Sequence, residues 1–265
     1  MDEIKKLTND GFRDIASKLL FNNIVLAKDY YITAILYLIR GIEGMYFKGG
    51  TALQKILLDY SRLSEDADFT ITQDIGKIKG KIAGILEKSK LFEKITKDKD
   101  VEGFTRLVVH YKGFSDEGGG VVFIDLNQRA KLLMKPESCQ IKHFYKESIP
   151  EFSLNTLAKE ELIAEKVAAA IGRNMPRDHY DLYRIIKKEM PIGMELVRKK
   201  CQQSNVEFDI IKMFNNAKKL KNRWDKDLLP LLAEEVSFTE VMATLAKHFN
   251  LKEEKAKNRN HVKLA

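Results

Sequence analysis

Apolar residues recur at three- and four-residue steps through the first part of the chain, as at Ile32, Ile35, Leu36 and Ile39. This period places them on one face of an α-helix, so the pattern predicts a helix over residues 10–44. The same period predicts two further helices, over residues 51–60 and 75–90. The first part of the chain is therefore expected to be rich in helix.

A period of two residues replaces the helical period in later segments and predicts strands. Residues 67–72 and 105–111 alternate between polar and apolar side chains. Residues 121–126 are instead largely apolar, which is typical of a strand buried on both faces. Residues 128–155 follow neither period, and no element is assigned to them.

From residue 157 onward the pattern is helical only. This change of pattern places a domain boundary near residue 150. The predicted fold class is α+β, with a small mixed sheet in the first domain. The predicted domains are an N-terminal α/β domain with helices at its start, residues 1–150, and a C-terminal helical domain, residues 151–265.

The charge of the chain favours an anionic partner. Its 265 residues include 46 Lys and Arg against 38 Asp and Glu, which gives a formal net charge of +8. This balance suits nucleic acid, although a solvated lysine-rich surface explains it equally well.

Cysteine use and hydropathy predict the location of the protein. Its two cysteines, Cys139 and Cys201, are far apart, so a disulfide framework is excluded and a reducing cytoplasm is indicated. The apolar run over residues 30–42 is too short to span a bilayer. The N-terminus lacks the apolar core of a signal peptide, so no membrane is expected as a partner.

The segment Lys48-Gly49-Gly50-Thr51 precedes a predicted helix and is the first candidate for binding a substrate. The two glycines permit positive backbone angles and the close approach of a ligand. The N–H groups at the start of the helix, together with its dipole, can stabilise a phosphate. The Thr51 hydroxyl is either a phosphate ligand or simply the helix cap.

Asp66 and Asp68 stand two positions apart at the start of a predicted strand, so their carboxylates share one face. Like charges at this spacing repel each other unless a cation lies between them, and Mg²⁺ or Mn²⁺ prefers such oxygen ligands. Coupled to the glycine turn, the pair predicts transfer from a nucleoside triphosphate, because bound metal stabilises a leaving pyrophosphate. The alternative is a solvated strand edge with two aspartates.

Asp125 is the candidate for a third carboxylate. It follows an apolar run over residues 121–124, where a charge is costly without a partner. If its strand lies beside that of Asp66, Asp125 can bind the metal and act as general base toward an acceptor hydroxyl. An aspartate that caps a turn together with Asn127 is the alternative.

The remaining candidates are mostly cations. Arg62 and Ser64 precede the acids, and either can contact the triphosphate, although Arg62 can equally orient the acids through a charge-assisted bond. In the helical part, Lys166 can bind a phosphate, and Asp181 can hold Lys166 or Arg177 in place. The alternative for these three residues is an ordinary salt-bridged helix pair.

Three motifs follow one another along the chain: KGGTAL at 48–53, RLSEDADF at 62–69, and EK at 165–166 with RDHYDLY at 177–183. Together they resemble the AbiEii/AbiGii-type nucleotidyltransferase toxins of the DNA polymerase β-like nucleotidyltransferase superfamily. The resemblance covers roughly residues 45–190 and implies that the N-terminal domain has the nucleotidyltransferase fold.

The resemblance implies transfer of a nucleoside monophosphate to an acceptor with magnesium, and in related toxins the acceptor is the 3′ end of tRNA. An antitoxin from a neighbouring gene is the implied protein partner, and we expect a monomer. The resemblance supports Asp125 less than the other acids, because the strand at this place varies among members of the family. The implied roles are phosphate contacts by Gly50 and Thr51, metal binding by Asp66 and Asp68, a triphosphate contact by Lys166 and an essential acid at Asp181.

Two other functions remain open at the level of the sequence. A non-catalytic protein could keep the fold and bind RNA through its basic surface, but all the expected acids are present. Arg173 and His179 have a spacing found in some helical RNases, but Pro176 lies between them and breaks the helix that such a site needs.

Overall fold

One mixed β-sheet organises the first part of the chain in this computed structural model, which describes residues 4–114 and 118–256. The chain divides into two compact units, of which the first runs to Leu162 and the second begins at Ile163. The boundary near residue 150 stays a prediction. A strand at Ser153–Thr156 still belongs to the sheet of the first unit.

The first unit contains four helices and seven strands within the described residues. The helices are α1 (Asn9–Leu19), α2 (Asn23–Ile39), α3 (Gly49–Ile56) and α4 (Ile75–Glu87). The strands are β1 (Met45–Lys48), β2 (Asp66–Ile71), β3 (Phe92–Val101), β4 (Phe104–Tyr111), β5 (Gly120–Asn127), β6 (Glu137–Gln140) and β7 (Ser153–Thr156). The division between the units falls within helix α5 (Lys159–Arg173).

The strands lie in the order β3-β4-β5-β2-β1-β7-β6. Strand β2 runs parallel to β5, and β1 runs parallel to β7, whereas the other neighbours are antiparallel. The sheet is therefore mixed, and the predicted α+β fold class is confirmed. Strands β2 and β5, which carry the predicted acids, are neighbours in its centre.

The central strands have one apolar face and one polar face. In β2, Ala67, Phe69 and Ile71 are buried, and they belong to the face that forms the core. Helix α2 contacts β2 and β5 and is itself buried along most of its length. The alternate residues of β2, including Asp66 and Asp68, point to the opposite face, as the two-residue period predicts.

The helix predicted over residues 10–44 is two helices. Leu20 ends α1 in the left-handed conformation, and the Asn22 side chain caps α2 by accepting from the N–H of Ile24 at 2.9 Å. Within the described ranges no single helix is long and apolar enough to cross a membrane, and the bent pair α1 and α2 passes that test together by length and composition alone.

The sequence pattern did not predict four of the strands, which are β1, β3, β6 and β7. Strand β3 lies at the edge of the sheet and is exposed along most of its length, so it lacks the apolar alternation that identifies a strand. Three of the four, β1, β6 and β7, are only four residues long. Pairing between β1 and β7, which are distant in sequence, decides these two strands, and no local period records it.

The second unit contains helices and no strand within residues 163–256. Pro176 occupies the first turn of α6, as expected from its fixed backbone angle. A short 3₁₀-helix, Leu229–Leu231, separates the last two α-helices. The α-helices after α5 are α6 (Pro176–Lys187), α7 (Met194–Gln203), α8 (Lys212–Asn215), α9 (Ala217–Asp227) and α10 (Phe238–His248).

Candidate active site

Strand pairing places four charged residues in one row across the sheet. Lys48 lies opposite Asp68, Asp68 lies beside Asp125, and Asp125 lies opposite Arg106. Residues paired in this way share a face, and Asp66 shares it too because it stands two positions before Asp68. Neighbouring strands are about 4.8 Å apart, so the fold brings the three predicted acids together on the polar face.

The glycine turn lies directly against Asp68. Gly49 has a φ of +77°, and a Cβ built on it would lie only 2.2 Å from Asp68 Oδ2. Only glycine permits both this backbone angle and this approach. Helix α3 begins at Gly49, two residues earlier than predicted, and no side chain caps its start. Its first-turn N–H groups therefore lie beside the acids, where a phosphate can accept from them.

Arg62 and Ser64 lie against the other glycine of the turn. A Cβ on Gly50 would lie 2.8 Å from Arg62 Nη2 and 3.2 Å from Ser64 Oγ. Arg62 is only 1% exposed, and its Nη1 donates to the carbonyl of Leu63 at 2.8 Å. This burial favours a role for Arg62 in supporting the turn. Contacts of Arg62 and Ser64 with substrate stay predictions.

The Thr51 hydroxyl has a partner that the sequence analysis did not consider. It donates to the carbonyl oxygen of Asp66 and so ties helix α3 to strand β2. This bond uses the one proton that the hydroxyl can donate, and a phosphate contact by Thr51 stays a prediction. Thr51 does not cap the helix, since the cap position belongs to Lys48. Thr51 therefore positions the turn against the acids.

Asp125 is held by Arg106, which the sequence analysis missed. Arg106 Nε and Nη2 donate to the two carboxylate oxygens, each at 2.7 Å. These bonds raise the pKa of the Arg106 guanidinium above its usual value, and the charges of Asp125, Asp66 and Asp98 add to the effect. The register of the β4–β5 hairpin pairs the two residues and is the signal that could have found Arg106.

The donor set fits a divalent metal at Asp66 and Asp68. Both are carboxylates on one face, which are the hard oxygen ligands that magnesium and manganese prefer. Asp125 is adjacent but bound to Arg106, and among the described residues no group of three or more His, Cys, Asp or Glu side chains is arranged as a metal site. The assignment of Asp125 as third ligand stays a prediction.

In the second unit, Lys166 lies between two buried carboxylates. Its Nζ is 2.9 Å from Asp178 Oδ1 and 3.0 Å from Asp181 Oδ2, and all three side chains are at most 4% exposed. Arg173 Nε is 2.7 Å from Asp178 Oδ2. Burial raises the pKa of Asp178, but Lys166 and Arg173 outweigh it and hold that pKa below its usual range.

This arrangement agrees with the ion-paired interpretation of the helical motif, in which Asp181 holds Lys166. Asp178 completes the cluster, although the sequence analysis gave it no role. Arg177 is half-buried on α6. The triphosphate contact implied for Lys166, the role implied for Asp181 and the substrate contact of Arg177 stay predictions.

The described geometry argues against an Arg/His RNase. His179 is fully buried, and its two ring nitrogens lie 3.0 Å and 2.8 Å from the carbonyl oxygens of Met175 and Met213. Arg173 is engaged by Asp178. An imidazole enclosed in this way cannot reach a substrate hydroxyl, and its contacts identify it as a structural link between α6 and the segment around Met213.

Comparison with protein families assigns the chain. The model described as "Nucleotidyl transferase AbiEii toxin, Type IV TA system" matches residues 38–247, a range that contains every predicted site residue. The chain belongs to this family. It is therefore a nucleotidyltransferase of a family of type IV toxin–antitoxin toxins, which implies a nucleoside triphosphate substrate and an antitoxin partner.

Solved structures share the fold. MenT4, a nucleotidyltransferase toxin from Mycobacterium tuberculosis, is 20% identical with a TM-score of 0.66, and the match covers 92% of this chain and 89% of MenT4. JHP933 from Helicobacter pylori is 19% identical with a TM-score of 0.55, covering 90% of this chain and 95% of that one. No curated protein sequence matches the chain closely enough to count as a relative.

Gly49→Ala tests the close approach of the glycine turn to Asp68. The new Cβ must displace the Asp68 carboxylate, which lies 2.2 Å from its position, and the positive φ adds strain of about 1–2 kcal/mol. We expect AbiEii-type nucleotidyl transfer to fall by about 100-fold, since a displacement of about 1 Å can cost that much. The rate of transfer from a labelled triphosphate measures the effect.

Gly84→Ala on α4 is the matched control for this substitution. No atom lies within 4 Å of its added Cβ, and alanine favours a helix by about 0.5–1 kcal/mol over glycine. This variant is expected to retain its activity and its stability. Equal activity of the Gly49→Ala and Gly84→Ala variants would contradict the role given to the turn.

Proposed function

We propose that this member of the AbiEii family transfers a nucleoside monophosphate from a triphosphate to the 3′ end of an RNA, with tRNA as the first candidate, using Mg²⁺ or Mn²⁺. The observation that carries the proposal is the packing of Gly49 directly against Asp68, with Asp125 on the neighbouring strand. This arrangement places the groups that would bind a phosphate and a metal next to each other.

In this proposal, different groups of the chain bind the triphosphate and the metal. The first-turn N–H groups of α3 hold the triphosphate, and the turn rests on Arg62 and Ser64. Asp66 and Asp68 would hold the metal, which when bound neutralises charge on the phosphates and stabilises the leaving pyrophosphate. The two carboxylates thereby set where the α-phosphate lies.

Asp125 is the base in this proposal. An acceptor hydroxyl gives its proton to a carboxylate oxygen of Asp125, and its oxygen bonds to the α-phosphorus. The bond from that phosphorus to the β-phosphate oxygen breaks, and pyrophosphate leaves. A carboxylate oxygen can accept more than one hydrogen bond, so Arg106 can stay bound to Asp125 and keep it oriented during the transfer.

The cellular setting follows from the same proposal. We place the protein in the cytoplasm as a monomer, where modification of tRNA 3′ ends would stop growth until an antitoxin from a neighbouring gene intervenes. Both cysteines are free and buried, which is consistent with a reducing compartment.

Incubation with each labelled triphosphate, magnesium and total tRNA tests this function. We expect label on RNA with at least one triphosphate, complete loss of transfer when a chelator removes the metal, and recovery with excess Mg²⁺ or Mn²⁺, because the triphosphate charge needs the cation. Intact triphosphate binding without transfer from any of them would refute the proposal. RNA binding without product that is indifferent to Asp66→Ala and Asp68→Ala would indicate a non-catalytic RNA binder.

A further inference from the structure

The row of charges that contains the acids continues to the edge of the sheet. Beyond Arg106 on β4, the register places Lys99 of β3 opposite Arg106, and Lys94 opposite His110. Because paired residues share a face, both lysines lie on the polar face together with Asp125. Two strand spacings, about 10 Å, separate Lys99 from Asp125 along the row.

Phe123 and Arg106 form a cation–π pair next to Asp125. Phe123 stands two positions before Asp125 and is paired with Asp66 on one side and Val108 on the other. The guanidinium carbon of Arg106 lies 5.0 Å from the centre of the half-buried Phe123 ring. The two bonds to Asp125 fix the orientation of this guanidinium. Aromatic rings and guanidinium planes are the surfaces on which unpaired RNA bases stack.

The lysines on the two faces of β3 differ in their partners. Lys94 and Lys99 are exposed and have no ion pair within the described part of the chain. Lys97 points to the other face, where it lies 3.2 Å from Asp100. The acid near the polar face of this edge is Asp98, in a bulge of β3, and it lies 3.9 Å from Arg106. The two lysines of β3 that lack an ion pair among the described residues are therefore on the face of the acids, where Lys99 Nζ lies 5.6 Å from the centre of the Phe104 ring.

The in-line geometry of phosphoryl transfer indicates which substrate this surface binds. The glycine turn lies at the β1 end of the row, the acids lie in the middle, and Lys99 lies at the β3 end. Attacking and leaving oxygens stand in line on opposite sides of the phosphorus, so the acceptor approaches from the side away from the triphosphate.

The bulged, lysine-rich edge of β3 also disfavours pairing with a strand of another protein.

We propose that the polar face of β5, β4 and β3 holds the single-stranded 3′ end of the acceptor RNA, with its last base stacked on the Phe123–Arg106 pair and its phosphates on Lys99 and Lys94. This inference rests on the proposed transfer to RNA. The unpaired end of an RNA suits the surface because its bases are free to stack, and a duplex would hide them.

An RNA-binding assay tests the surface. The affinity for a short, fluorescently end-labelled single-stranded RNA is measured by fluorescence anisotropy in the absence of triphosphate. Phe123→Ala is expected to weaken binding by about 5- to 150-fold, and Phe123→Trp to restore it, because base stacking contributes about 1–3 kcal/mol. The double variant Lys94→Ala/Lys99→Ala is expected to make the slope of log K against log salt shallower by about 1.4, which corresponds to two phosphate contacts.

Lys97→Ala is the matched control, since it removes a lysine from the same strand but from the other face. It is expected to bind RNA as the unmodified protein does, and all variants are expected to keep their affinity for a labelled triphosphate. Unchanged RNA binding by both the Phe123 and the double lysine variants would overturn the inference, as would an equal loss in Lys97→Ala.

These outcomes are distinct from failure of the proposed function. If the unmodified protein labels RNA while the variants bind RNA normally, the surface is wrong and the transfer stands. If the variants lose RNA binding as expected but the unmodified protein labels no RNA, the surface binds RNA that is not an acceptor, and the proposed function fails.

Discussion

Asp68→Asn is expected to reduce nucleotidyl transfer by about 1,000-fold with little change in stability. Asparagine has the shape of aspartate but not its charge, so the variant keeps the packing against Gly49 and loses one of the two carboxylates that fit a metal. Electrostatic stabilisation by a metal contributes several kcal/mol to the transition state, and about 4 kcal/mol corresponds to this factor. Single-turnover transfer from a labelled triphosphate, with metal in excess, measures the change.

Glu65→Gln provides the matched control for the loss of charge. Glu65 is adjacent in sequence to Asp66, but its carboxylate lies 3.0 Å from Lys28 Nζ in a partly exposed ion pair. Such pairs contribute about 0–1 kcal/mol, so we expect activity within about threefold of the unmodified protein. Comparable losses in the Glu65 and Asp68 variants would show that net charge near β2 matters and that Asp68 has no specific role.

Lys166→Met is expected to lower the free energy of unfolding of the second unit by about 3–5 kcal/mol. Methionine preserves most of the side-chain volume but leaves the buried carboxylates of Asp178 and Asp181 without the cation that lies 2.9 Å and 3.0 Å from them. Removing one partner of a buried ion pair leaves an uncompensated charge, which is the source of this cost. Arg173 still contacts Asp178 and limits the loss at that residue.

Denaturant unfolding, monitored by tryptophan fluorescence, measures the free energy of unfolding of the second unit. Trp224 is the single tryptophan of the chain and is buried in helix α9. Lys199→Met serves as control, because Lys199 forms an exposed pair with Glu195 and its loss costs at most about 0.5 kcal/mol. A small loss of stability in Lys166→Met, together with lost triphosphate binding, would assign Lys166 to the substrate and contradict the structural role.

Local pattern in the sequence was enough to predict several parts of the site. The two-residue period placed Asp66 and Asp68 on one face, because alternation is a property of the extended backbone itself. The double glycine before a helix predicted a turn that a phosphate can approach, and Gly49 has the positive φ that this requires. The helical period from residue 157 onward likewise predicted a helical second part, and residues 163–256 contain helices and no strand.

The sequence left the partners of these residues undecided. The sequence predicted Thr51 to be either a helix cap or a phosphate ligand. In the structure the Thr51 hydroxyl donates to the carbonyl oxygen of Asp66. The sequence offered Asp125 as a metal ligand or a turn cap, and the structure binds it to Arg106. It described Lys166 as a cation facing an anion, and the structure supplies Asp178 as well as Asp181.

The sequence by itself thus determined which residues can do the chemistry, since side-chain type, strand alternation and the glycine turn are local properties. The tertiary structure decided which of them meet. Asp68 lies beside Asp125, Asp125 lies opposite Arg106 and Lys99 lies opposite Arg106 because of strand register. Register depends on backbone hydrogen bonds and on core packing between strands, some of them far apart along the chain as β2 and β5 are, and the alternation within one strand does not encode it.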